Sequence, residues 1–140
     1  MGTMLIPVLT LVAVSLVVWA MMVATRLPAM AKARIPPQGG RYTKELSVLP
    51  APARDIADNY NHLMEQPTIF YATALAVQVA GDATPLNVGL AWGYVGLRIV
   101  HSIIQCTSNN VMIRFYLFVA STAVLGVLAG HEIFTLATAG

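Results

Sequence analysis

The chain has 140 residues, of which 57% are hydrophobic and 10% charged, with a formal net charge of +2. Ordinary soluble domains carry roughly 25% charged residues, so this composition excludes a typical water-soluble fold and suits one small integral membrane domain spanning 1–140. The small charge, without a basic run interleaved with aromatics, excludes nucleic acid as a partner, and the single cysteine, Cys106, excludes an intrachain disulfide. Zinc spacings, a phosphate loop and a GxSxG elbow are all missing, and His62, His101 and His131 lie too far apart for a local metal motif.

Residues 4–25 hold no charge and are long enough to cross a bilayer as a helix of about 1.5 Å rise per residue. The run is too long for a signal h-region, no basic segment precedes it, and Arg26 closes it, so it reads as a first transmembrane helix. Residues 26–58 form the one long polar segment. Six of the eight basic residues lie there: Arg26, Lys32, Arg34, Arg41, Lys44 and Arg54. Pro36-Pro37 and Gly39-Gly40 break any helix within it, and its positive charge places this loop in the cytoplasm.

A second span follows over 59–80, with Pro67 predicting a kink near 63–66. Gly81-Asp82-Ala83-Thr84-Pro85 reads as a tight hairpin, the third span covers 86–106, and Thr107 to Asn110 make a second short turn. The fourth span covers 111–130, leaving His131 and Glu132 beyond it in solvent. Gly89, Gly93 and Gly96 approximate a small-residue face for close helix packing.

Ionisable residues inside apolar spans are rare, and they usually face a bundle interior or a wet cavity and pair with one another. Glu65 lies near the cytoplasmic entry of the second span, while Arg98 is ~12 Å in from the end of the third and Arg114 is ~6 Å into the fourth. All three share the cytoplasmic half of the bilayer. Asn61 and His62 sit on the helix face of Glu65, and His101 and Gln105 follow Arg98 at helical spacing. A polar layer of Asn61, His62, Glu65, Arg98, His101, Gln105 and Arg114 is therefore expected. A Glu65–Arg98 ion pair that only pins two helices is one reading of it; two arginines against one glutamate leave an excess positive charge, and an anionic ligand is the other reading. Snorkelling of Arg114 to lipid headgroups is the competing use of that residue.

Asn61-His-Leu-Met-Glu65, then Gly96-Leu-Arg-Ile-Val-His101, then Arg114, set on four spans with a long basic loop after the first, resemble the MAPEG family of membrane-associated proteins in eicosanoid and glutathione metabolism. The resemblance covers almost the whole chain. It implies a left-handed four-helix membrane bundle assembled as a homotrimer, with glutathione as cofactor bound between subunits on the cytoplasmic side. It further implies that Glu65 holds the amino end of glutathione and that Arg98 and His101 belong to the pocket. Arg114 would stabilise the thiolate that attacks hydrophobic electrophiles dissolved in the bilayer. This chain departs from the family pattern at Asp58, His62, Gln105 and Phe115. A non-catalytic protein of the same fold that binds lipids or small molecules, or an ion or proton pathway, therefore stays open beside a glutathione-dependent transferase or peroxidase. The lack of an Arg- and Ser-rich transit-like start points to a bacterial inner membrane.

Overall fold

A computed structural model describes residues 2–140, and within them the chain is all-helical. Four long helices follow one another: α1 (Leu5–Lys32), α2 (Ala51–Ala80), α3 (Pro85–Cys106) and α4 (Val111–Ala139). Short 3-10 turns, Pro37–Gly40 and Thr43–Val48, occupy the loop between α1 and α2. The four helices cover the four segments read as spans; α1, α2 and α4 run well beyond them, and α3 begins one residue earlier. By length and composition, α1 and α4 are apolar enough to cross a membrane. At about 1.5 Å per residue, the 29 residues of α4 exceed a hydrocarbon core of about 30 Å.

The helix ends have local causes. Arg26 does not stop α1, because a charged side chain leaves the backbone hydrogen-bond ladder intact, and the helix runs past it through Pro28. It ends where Ile35 precedes Pro36, since a residue before proline is sterically driven out of the helical region. Arg34 takes a left-handed φ of 55°, and Ile35 N–H donates back to the Met30 carbonyl at 3.0 Å. The same closure ends α2, where Gly81 has φ 78° and Asp82 N–H reaches the Val77 carbonyl at 3.1 Å. Two side chains then start the next helices: Thr84 Oγ1 accepts from Asn87 N–H, and Asn110 Oδ1 from Ile113 N–H. Pro67 removes one N–H from α2, yet the helix remains continuous through it.

α1 packs along α2, and α3 packs along α4. The buried positions recur every three or four residues, as one face of a helix requires: Val8, Leu11, Ser15 and Val18 on α1, and Ser121, Leu125, Leu128 and Glu132 on α4. Between α2 and α3, Phe70 stacks on Tyr94 with ring centroids 4.5 Å apart. A Cβ on Gly93 would meet Val124 at 3.7 Å, which sets the α3–α4 approach, whereas Gly89 and Gly96 face open space in the single chain. Gln78 Oε1 accepts from Met4 N–H at 2.8 Å and Thr3 Oγ1 at 3.2 Å, pinning the start of α1 to the end of α2. A small second core of Met30, Leu46 and Leu49 holds the loop against α1.

One position isolates backbone strain from packing. A Cβ on Gly81 would meet nothing within 4 Å, so Gly81→Ala is penalised only by its left-handed φ. The expected loss is about 1–2 kcal/mol in unfolding of the detergent-solubilised protein, and unchanged stability would refute the left-handed closure of α2.

Candidate functional site

α3 carries the site by simple periodicity. Its buried face runs Ala91, Tyr94, Val95, Arg98, His101, Ser102 and Gln105, apolar for the first turns and polar for the last ones. Arg98 is 1% exposed. Its Nη2 donates to the His62 carbonyl of α2 at 3.1 Å. Nε and Nη1 of Arg98 have no hydrogen-bond partner at all. Burying a cation with two unmet donors costs several kcal/mol unless an acceptor completes it.

The sequence expectation of a Glu65–Arg98 ion pair is not met. Arg98's one bond goes to the α2 backbone instead, and Glu65 is an exposed residue on the cavity wall. Both residues line the same cavity, Glu65 exposed and Arg98 buried. Arg114 is held locally. Its Nη1 donates to Oδ1 of Asn109, which has a positive φ of 48° and closes α3 through an N–H bond to the Ile104 carbonyl. The Asn109-Asn110 pair thus closes one helix, caps the next and aims Arg114.

Two adjoining cavities open here. The inner one, about 320 Å³, is lined by His62, Glu65, Gln66, Arg98, His101 and Arg114, with Val111, Phe115 and Phe118 of α4 forming an apolar lip. The outer one, about 420 Å³, is lined by Asp58, Asn61, His62, Glu65, Gln105 and Arg114. All seven residues of the expected polar layer therefore border one cavity or both. Gln105 is 1% exposed, and its Oε1 meets His62 Nδ1 at 2.9 Å. In the neutral tautomer that donates from Nδ1 to this oxygen, His62 Nε2 is an acceptor. The His62 and His101 rings lie edge to face at 6.1 Å. Asp58 lines only the outer cavity, Glu65 and Arg114 border both, and Arg98 lines only the inner one, so charges of both signs face the space.

Gln66 belongs to the site without having been singled out in the sequence. Its Oε1 accepts from Tyr94 Oη at 3.2 Å and its Nε2 donates to Thr122 Oγ1 at 2.7 Å, so one side chain ties α2, α3 and α4. Its neighbour Glu65 drew attention because it is charged, whereas an uncharged amide in a helix has no sequence signature of its partners. Glu132, expected in solvent, is buried at 4% exposure because it lies on the face of α4 that carries Leu125 and Leu128 into the bundle.

Arg98 provides a direct test of the unmet-donor argument. Arg98→Met keeps much of the side-chain volume and removes the charge, so the ligand-free protein should unfold with unchanged or higher stability, by up to about 1–3 kcal/mol. Binding of anionic ligands should fall in the same variant. A strongly destabilised Arg98→Met protein would mean that the guanidinium is already satisfied without a ligand.

No curated protein sequence matches the chain, and no solved structure does. A protein-family model does match, over residues 4–134, and its description is the MAPEG family. The match takes in all four helices up to the last turn of α4 and every residue of the two cavities, and on that ground the chain belongs to the MAPEG family.

Proposed function

We propose that this membrane-associated protein binds glutathione in the paired cavities and uses it against hydrophobic electrophiles, as a transferase or peroxidase-like enzyme. The family includes glutathione-dependent transferases and peroxidases alongside other members. The observation that carries the reading is Arg98: a buried guanidinium with Nε and Nη1 unbonded, bordering a cavity of about 320 Å³. Those two donors fit a carboxylate, which a guanidinium grips through paired N–H groups. Asn61, Glu65 and Asp58 supply acceptors at the other end, where an ammonium group would be held.

Glutathione would supply the nucleophile, a thiol that reacts as its thiolate. The chain's part is to favour that anion and bring the second reactant to it. Arg114 places a cation in the inner cavity, fixed by Asn109, with Nε free of any partner. A cation beside a thiol favours the thiolate without itself moving a proton. His101, with Nδ1 unbonded, and His62, with Nε2 as acceptor, are the groups able to take the thiol proton. Val111, Phe115 and Phe118 give the cavity an apolar wall through which an electrophile from the bilayer can approach.

The cavities are bordered by α2, α3 and the start of α4, and that start buries nothing within the chain. A homotrimer in which a neighbouring subunit closes this side is part of the proposal. So are four membrane spans, the cytoplasmic placement of the loop and a bacterial inner membrane. A non-catalytic lipid- or small-molecule-binding role for the same cavity is the second reading, favoured by Phe115, which gives the lip an apolar ring beside Arg114 where a hydroxyl would aid catalysis.

Purified protein in detergent should bind glutathione saturably and conjugate an activated aryl chloride. Arg114→Ala should lower the conjugation rate on the order of 10²-fold, the scale of removing one preorganised charge-stabilising donor, with glutathione binding far less affected. Saturable glutathione binding without conjugation of any electrophile would select the non-catalytic reading, and no binding would remove glutathione from the proposal.

A further inference from the structure

Three cationic side chains from three different elements border one cavity outside the candidate site. Arg26 comes from α1, Lys44 from the second 3-10 turn and Arg54 from the first turn of α2. The cavity holds about 210 Å³, and the hydroxyl-bearing Thr43 and Ser47 also lie on its wall. Asp58 is the single acidic residue there, so three positive charges face one negative. Asp58 also borders the outer cavity of the candidate site and is the one residue common to the two.

Packing holds this wall in place. Leu46 and Leu49, 4% and 3% exposed, carry the loop onto Met30 of α1, and Ala53 and Ala57 are buried beside Arg54 and Asp58 on α2. Cations brought together in this way repel one another, a cost that an anion between them removes. The start of α2 adds to the positive potential, because its first turn has no acidic residue and no side-chain cap. The charge of the loop as a whole does not account for the convergence, since Lys32, Arg34 and Arg41 do not line the cavity.

Position along the chain identifies the source of the anion. Residues 4–25 hold no charge and Arg26 is the first charge after them, so the cavity lies where an apolar helix reaches headgroup depth. Apolar surface continues around it, with Leu27 60% exposed and Val48, on the loop beside Ser47, 72% exposed. Exposed leucine and valine flanking a cationic cavity suit a ligand that is anionic at one end and apolar at the other. A zwitterionic headgroup, with no net charge, would leave the excess of cations unmet. We propose that Arg26, Lys44 and Arg54 bind the phosphate of an anionic phospholipid headgroup, which ties α1, the loop and α2 together at the membrane surface. This site is separate from the cavities proposed for glutathione and does not depend on what they hold.

The test uses the full chain, delipidated in an uncharged detergent and titrated with phosphatidylglycerol or phosphatidylcholine in mixed micelles at constant ionic strength. The unfolding midpoint is one readout, and mass spectrometry of the intact protein–lipid complex is the other. Phosphatidylglycerol should raise the midpoint saturably by several degrees and stay bound as a single lipid per chain, whereas phosphatidylcholine should do neither. Arg54→Gln and Lys44→Gln should each weaken phosphatidylglycerol binding on the order of fivefold, the scale of one basic side chain near an anionic surface. Lys32→Gln and Arg41→Gln should leave it unchanged. Equal weakening by all four variants overturns the site in favour of diffuse charge, and a wild-type protein without a preference for phosphatidylglycerol overturns it outright. Millimolar sodium phosphate should leave the lipid in place; displacement would make the ligand a soluble phosphate and overturn the lipid assignment. Displacement by saturating glutathione would put the cavity within the thiol site and overturn the proposal as well. If Arg54→Gln fails to fold, Lys44→Gln on the exposed loop decides by the same readouts.

Discussion

The buried guanidinium of Arg98 is the constraint on which the rest of the site depends. A cation that is 1% exposed inside a bundle this apolar must be surrounded by acceptors or by space that an acceptor can enter. The fold supplies one acceptor, the His62 carbonyl, and then supplies space. Packing elsewhere protects that arrangement. Phe70 and Tyr94 seal α2 against α3 one turn deeper, and Gln66 locks α2 to both α3 and α4. The cavity is thus a cost the bundle keeps in a fixed place. That is a different matter from a packing defect, which in a core of Val, Leu and Phe would collapse or fill with apolar atoms.

The second half of the site is built by local geometry. Arg114 stands near the start of α4, a helix whose first turns touch little of their own chain. Its direction is set over five residues, by a left-handed Asn109 that ends α3 and an Asn110 that begins α4. Asparagine is one of the few residues that tolerates left-handed backbone and offers a side-chain acceptor as well. Exposed apolar residues on α1 and α4, such as Leu9, Leu16, Phe118 and Ile133, form an apolar outer surface of the kind a membrane-associated protein presents to lipid.

Much of this was legible in the residues. The spacing of Arg98, His101 and Gln105 fixes one helix face, and the same arithmetic places Glu65 and Arg114 at the depth where the cavities lie. Depth follows from rise per residue, which is nearly constant. Azimuth between helices does not, because it depends on how two particular surfaces interlock. That is why Glu65 shares a level with Arg98 without bonding it, and why the partners of Gln66 were invisible. Glu132 failed for a related reason. A glutamate after an apolar run looks like the exit to water, and only its position on the buried face of α4, in line with Leu125 and Leu128, covers it. The ends of α1 show a further limit: charge at Arg26 marks a change of solvent, whereas backbone sterics before Pro36 end the helix.

Buried polar atoms without partners lie at both ends of the bundle. Near the loop end they include two nitrogens of Arg98 as well as Asn59 Oδ1 and His101 Nδ1, and at the far end the Glu132 oxygens, Asn87 Oδ1 and His131 Nδ1. The two sets cannot neutralise each other, because Arg98 and Asn87 are about 16 Å apart along one helix with apolar packing between them. In a low-dielectric interior each must be completed where it stands. Arg98 can be completed only from the cavity it borders, because apolar packing closes every other approach along α3, whereas the oxygens at the far end lie beside a turn.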